Sequence, residues 1–92
     1  MTNGAIQELY ATALDSVQEI LPPDSFRTAH DWVHLHGEWG LAMECVIDWI
    51  GDLDHPITQT QLDAIDRAMA AMGWSDSPRM RWLRGEVTAR VE

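Results

Sequence analysis

Apolar side chains recur at three- and four-residue steps along most of the chain, which is the spacing of one face of an α-helix. The first such segment runs from about Ala5 to Leu21. It is stopped by Pro22-Pro23, because a residue that precedes proline is disfavoured in the helical conformation. The second segment begins at Pro23 and ends near Gly37. We find no competing strand pattern.

The third segment, roughly Glu38 to Leu53, is the most apolar in the chain. On a helical wheel its apolar residues cover a broad arc, and its acidic residues fall in a narrow stripe on the opposite side. We therefore expect this helix to be the central one, in contact with the others on most sides.

The fourth segment has the clearest start signal. Thr58 and Gln61 have the spacing of a capping box, in which two side chains satisfy the free backbone donors of a helix N-terminus. This helix is expected to end at Gly73, and a short fifth helix is expected from Pro78 to about Leu83. The pattern predicts an all-α fold, a compact bundle of four helices with a short fifth C-terminal helix. Beyond Gly85 we expect fraying or a short appendage.

Length and composition limit the class of protein. Ninety-two residues, 46% of them hydrophobic, suffice for one domain (residues 1–92) with one modest core. No run approaches the roughly 18–20 uncharged apolar residues that cross a membrane, and the N-terminus lacks the basic start of a secretion signal. Cys45 is the single cysteine, so no disulfide can form within the chain. We expect a cytoplasmic protein.

The formal charge of −9 is distributed unevenly. Residues 1–66 contain twelve acidic side chains and one arginine, whereas the remaining residues contain five arginines and three acids. Such a field repels nucleic acid and anionic membranes and attracts basic proteins. We therefore expect neither nucleic acid nor a membrane as a partner. Some of the C-terminal arginines are expected to fold back against the acidic helices.

The acidic stripe of the third helix consists of Glu44, Asp48 and Asp52. Like charges four residues apart destabilise a helix by roughly 0.2–0.5 kcal/mol per pair. One interpretation is a solvated face that keeps a Trp-rich protein soluble. We favour a surface that covers a basic cleft of another protein, because the same sign recurs nearby at Asp31 and Asp54. This interpretation requires the stripe to have no cationic partner in its own chain.

Catalytic and metal-binding motifs are weak. His30 and His34, four residues apart, could face one metal, but a zinc site needs further ligands and no HExxH pattern is present. The sequence contains no glycine-rich phosphate loop, no GxSxG motif and no Cys–His pair in a recognisable context. We expect no metal, no cofactor and no enzymatic activity.

The stretch HGEWGLAMECVIDWI, followed by PITQTQLDAIDRAMAAMGW, resembles the small immunity proteins of the MafI type found beside bacterial polymorphic toxins. The resemblance covers roughly residues 23–74, and Cys45 stands three residues before Asp48 rather than beside it. It implies a cytosolic protein that binds its cognate toxin domain one-to-one and blocks it sterically, without catalysis. A toxin with a basic cleft, such as a nuclease, would suit the acidic field.

We expect seven residues to contact the partner: Asp31, Glu38, Trp39, Glu44, Asp48, Asp52 and Asp54. Trp39 also lies on the apolar arc, so packing in the core is an equally good interpretation for it. The alternative function is a small helical adaptor or structural subunit that binds another chain through an apolar seam of Trp and Met.

Overall fold

The computed structural model describes residues 2–87, which form five α-helices and a final π-helical turn. The helices are α1 (Asn3–Ser16), α2 (Pro23–His34), α3 (Trp39–Leu53), α4 (Gln59–Ala71) and α5 (Pro78–Trp82), and the π-helical turn is Leu83–Val87. No strand occurs within residues 2–87. The prediction of an all-α bundle of four helices with a short fifth is confirmed. None of the helices in this range is long and apolar enough to cross a membrane.

The core is shared by all five helices, and α3 packs against each of the other four. Its buried side chains include Met43, Val46, Ile47 and Ile50. The central position predicted for this helix is therefore confirmed. The most extensive packing in the bundle nevertheless joins α1 to α4.

The first helix ends at Ser16, so the predicted end at Leu21 is wrong. The Ser16 hydroxyl donates to the Ala13 carbonyl oxygen at 2.6 Å, and the Ser16 carbonyl accepts a 2.9 Å hydrogen bond from Nε2 of Gln61 in α4. A carbonyl at a helix end needs a partner outside the helix, and here α4 provides it. Residues 17–20 then form turns that carry the chain to Pro22.

Gln61 has a second role, in the capping box of α4. Its backbone N–H donates to Thr58 Oγ1 at 3.1 Å, and its side-chain Oε1 accepts from the Thr58 N–H at 2.9 Å. The predicted capping box is confirmed. One nearly buried side chain therefore fixes both the end of α1 and the start of α4.

Three of the helices are followed by a residue in the left-handed backbone conformation, with positive φ. Gly37 (φ +63°) and Gly73 (φ +76°) occupy the conformation that glycine adopts at little cost, as expected from their predicted place at helix ends. Asp54, the residue after α3, has φ +52° and is the one non-glycine in this conformation among residues 2–87. The hydrophobic and polar pattern of the sequence did not predict the positive φ of Asp54.

Residues 74–87, which we call the C-terminal arm, fold back onto α3. Met80 and Leu83 of the arm are fully buried in the core. The indole ring of Trp74 lies over Gly40, where a Cβ atom would overlap it, and Cη2 of Trp82 lies 2.8 Å from the position of a Cβ on Gly51. The two glycines thus give α3 a smooth side on which two indole rings rest. The segment beyond Gly85, for which we expected fraying or a short appendage, lies mostly outside the described residues.

Candidate interaction surface on α3

The predicted stripe of Glu44, Asp48 and Asp52 lies at successive turns of α3, away from its buried face. The Glu44 side chain is 36% exposed and that of Asp48 is 52% exposed. Asp52 is exposed. The three carboxylates therefore share one side of the helix, next to the side that the C-terminal arm covers.

Arg79 of α5 crosses this stripe and binds two of its three carboxylates. Its Nη1 donates to Glu44 Oε2 at 3.0 Å, while Nε and Nη2 donate to the two carboxylate oxygens of Asp48 at 3.0 and 3.2 Å. The hydrogen bond with Asp48 raises the pKa of the Arg79 guanidinium. The expectation that the stripe has no cationic partner in its own chain is therefore wrong for Glu44 and Asp48.

The physical reason is the docking of the C-terminal arm. Met80 of α5 is buried in the core, and this holds the preceding residue, Arg79, above α3. There its guanidinium relieves the repulsion between Glu44 and Asp48. Arg84 folds back in the same way, with Nη2 2.7 Å from Asp66 Oδ1 and 2.6 Å from the Ser75 carbonyl oxygen. The prediction that C-terminal arginines fold back against acidic helices is confirmed.

Asp52 borders an open groove between α3 and α5. The groove has a volume of about 650 Å³ and is lined by Ile47, Asp48, Gly51, Asp52, Pro78, Arg79 and Trp82. The Asp52 carboxylate makes no hydrogen bond or ion pair with any described residue, and Trp82 is 38% exposed. The stripe and Arg79 together contribute three carboxylates and one guanidinium, so two negative charges remain uncompensated there.

The other predicted contact residues are spread over the surface. Glu38 is the exposed residue that precedes α3 and Asp54 the exposed residue that follows it, about 24 Å apart along a helix axis. Asp31 lies on α2, with Oδ1 4.0 Å from Nδ1 of His30. The seven residues thus do not form one compact patch.

Trp39 is partly buried and packs against the core. Its indole N–H donates to the Val33 carbonyl oxygen at 3.3 Å, which ties the start of α3 to the end of α2. The side chain therefore has a structural role in the fold.

Sequence reasoning missed Arg79, Trp82 and Gly51 as parts of this surface. Two signals were available: arginine and tryptophan three residues apart in a short helix, and two glycines within an otherwise strongly apolar helix. A glycine retained in a helix commonly marks a close packing contact.

His30, His34 and Cys45 are the remaining candidates for chemistry. The rings of His30 and His34 are tilted by 34° with centroids 4.2 Å apart, and no group of three or more His, Cys, Asp or Glu within residues 2–87 is positioned to hold a metal ion. Burial, followed by the nearby Asp48 and Glu44 carboxylates, raises the pKa of the Cys45 thiol. A raised pKa disfavours the thiolate, which is the nucleophilic form.

Comparisons of this chain with protein-family models, with curated proteins and with solved structures found no match.

Proposed function

We propose that this protein is an immunity protein that binds a cognate bacterial toxin domain in the cytoplasm and neutralises it sterically. The observation that supports the proposal is an excess of exposed carboxylates after the internal ion pairs have been counted. Four exposed acids, on α1, in the turn that follows it and on α3, make no ion pair within residues 2–87: Glu8, Asp15, Glu19 and Asp52. A toxin with a basic cleft, such as a nuclease, would be complementary to this field.

The electrostatic part of the proposal concerns mainly the rate of association. Charges of opposite sign steer two proteins together and can raise the association rate constant by orders of magnitude at low salt. The complex is then held by a few buried anchors rather than by the charges at its rim. An inhibitor of this kind needs no catalytic group of its own.

The test uses the product of the adjacent reading frame as the candidate toxin. Co-expression of the present chain should restore growth to bacteria that produce that protein. The two purified proteins should form a one-to-one complex by size-exclusion chromatography with light scattering. A pair that shows neither rescue nor a complex contradicts the proposal.

Stopped-flow association tests the role of charge separately. Between about 0.05 and 0.5 M salt, the association rate constant should fall by about tenfold or more, because a shorter screening length weakens steering. An equally fast association at both salt concentrations would mean that the acidic surface does not guide binding, even if the complex forms.

The second candidate is a small helical adaptor or structural subunit. The seam of methionines on which that hypothesis relied is largely buried within the chain, since Met43, Met69 and Met80 are at most 1% exposed. Exposed leucines at positions 35 and 41 still favour an apolar contact with another chain. Leu41→Ser should weaken partner binding under this alternative, whereas Asp52→Asn should leave it nearly unchanged.

A further inference from the structure

We infer that the groove between α3 and α5 receives one arginine side chain of a protein partner, with the guanidinium placed between Asp52 and the indole ring of Trp82. The identity of the partner rests on the proposed function. The properties of the groove do not, because they follow from its shape, its charge and the ion pair beside it.

The shape of the groove suits a long side chain with an aliphatic stem. Gly51 has no side chain, so the Trp82 indole ring lies directly against α3 and forms one wall. Pro78 contributes further apolar surface, and the fully buried Ile47 lies beneath the groove. Arginine buries its methylene groups against such surface while its planar head stacks on an aromatic ring or binds a carboxylate.

The net negative charge of the groove favours a positively charged occupant. Two negative charges remain after Arg79 is counted, and Asp52 at the rim has no partner among residues 2–87. An anionic ligand would be repelled. A cation at Asp52 would complete a row in which each acid of the stripe has a positive partner.

The contacts of Arg79 with the stripe indicate that the cation is a guanidinium. Arg79 binds Asp48 in a bidentate geometry and Glu44 through one hydrogen bond, so this side of α3 already accepts a guanidinium from another helix. The partly exposed Trp82 adds a stacking surface that favours the planar guanidinium over the ammonium of lysine.

The groove is preformed and does not require the C-terminal arm to move. Met80 and Leu83 anchor the arm and are fully buried. Exposing two large apolar side chains would cost far more than one solvent-exposed ion pair returns. An incoming arginine therefore binds beside Arg79 rather than in place of the arm.

The first experiment needs no natural partner. The full chain, labelled with ¹⁵N, is titrated with a hexa-arginine peptide, and the five indole N–H signals are followed by NMR, with the Trp82 signal assigned from Trp82→Phe. The signal of Trp82 should show the largest saturable shift. Asp52→Asn should weaken the apparent affinity by about threefold or more, and a hexa-lysine peptide should bind more weakly than hexa-arginine.

Asp15→Asn is the matched control, because it removes the same charge from an exposed position on α1 that has no ion pair among residues 2–87. The inference is overturned if Asp15→Asn weakens peptide binding as much as Asp52→Asn. It is also overturned if Trp82 shifts no more than the other tryptophans. Arg27→Gln removes the same charge from an exposed position on α2. If Arg90→Gln tightened peptide binding clearly more than Arg27→Gln, the chain's own Arg90 would be the occupant, and the inference would likewise be overturned.

The second experiment uses the complex with the adjacent gene product. Asp52→Asn should raise the dissociation constant by about tenfold relative to Asp15→Asn, mostly through faster dissociation. If the two variants behave alike in a complex that forms normally, the groove inference fails and the proposed function stands. If no complex forms, the proposed function fails, and the peptide titration alone decides the role of the groove.

Discussion

Gly40→Ala should destabilise this protein, although the same change in a helix normally has the opposite sign. Alanine at an ordinary helical position stabilises by about 0.5–1 kcal/mol relative to glycine, with a smaller gain in the first turn. At position 40, however, the new methyl group would overlap the six-membered ring of Trp74. The sign of the effect therefore tests whether the indole ring lies on α3.

The magnitude follows from what the indole ring can do. The backbone N–H of Trp74 donates to the Met69 carbonyl oxygen at 2.9 Å, so the root of the side chain is fixed and the ring must swing outward. Forcing an extra methyl group into a packed site costs about 1–3 kcal/mol, and the lower part of that range applies here because the ring is the outer end of a side chain that is 37% exposed. After a first-turn propensity gain of about 0.5 kcal/mol is subtracted, a net loss of about 0.5–1.5 kcal/mol remains. For a domain of this size the loss lowers Tm by roughly 2–12 °C.

Gly4→Ala is the matched control, since Gly4 and Gly40 are each the second residue of their helix. Apart from the adjacent residues and the backbone of α1 itself, no atom of the described chain lies within 4 Å of a Cβ at Gly4, so this variant should be slightly stabilised. In a Trp74→Ala background, Gly40→Ala should change sign and behave like Gly4→Ala. Urea unfolding followed by far-UV circular dichroism measures all four variants. Equal effects of Gly40→Ala and Gly4→Ala in the otherwise unchanged protein would refute the packing of Trp74 on α3.

Three further measurements address other contacts. In urea unfolding, Arg79→Gln should lower the free energy of unfolding by about 1 kcal/mol or less, because its ion pairs are partly exposed, and the loss should be smaller at high salt. Arg81 is the control: it lies on α5 and makes no ion pair among residues 2–87, so Arg81→Gln should have a smaller effect. Met80→Ala should cost about 2–5 kcal/mol in the same assay, and a loss below about 0.5 kcal/mol would contradict the burial of the C-terminal arm. Burial, and to a lesser extent Glu44, raises the pKa of Tyr10 to about 12 from 10.0, so its contribution to stability is complete below pH 10 and is lost as the pH rises from 10 to 12. Tyr10 is the single tyrosine, so an absorbance titration reports it directly, and an ordinary midpoint near 10 would contradict its burial.

The helices and several of their ends could be predicted from the sequence because the signals are local. Thr58 and Gln61 form the capping box within one turn, and Gly37 and Gly73 adopt the left-handed conformation that their side-chain-free backbones permit. The end of α1 could not be predicted. The apolar period continues past Ser16, and the hydrogen bond that satisfies its carbonyl comes from a residue 45 positions away.

The candidate surface was predictable only in part, for the same reason. Helical periodicity placed Glu44, Asp48 and Asp52 on one side of α3, because side-chain direction follows from position along a helix. Helical periodicity could not show that Arg79 of the C-terminal arm lies across that side of α3. Arg79 reaches Asp48 from 31 residues along the chain and Glu44 from 35, and its position depends on the packing of the whole C-terminal arm.

Because Arg79 pairs with Glu44 and Asp48, the three acids of the stripe should contribute unequally to the free energy of partner binding. A partner cation that binds Glu44 or Asp48 must exchange with Arg79, and exchanging one partly exposed ion pair for another returns little free energy, since each contributes about 0–1 kcal/mol. A cation that binds Asp52 displaces no ion pair among residues 2–87 and can also stack on Trp82. Substitution at Asp52 should therefore weaken a charge-guided complex more than substitution at Glu44 or Asp48, although the helical pattern makes the three acids look equivalent.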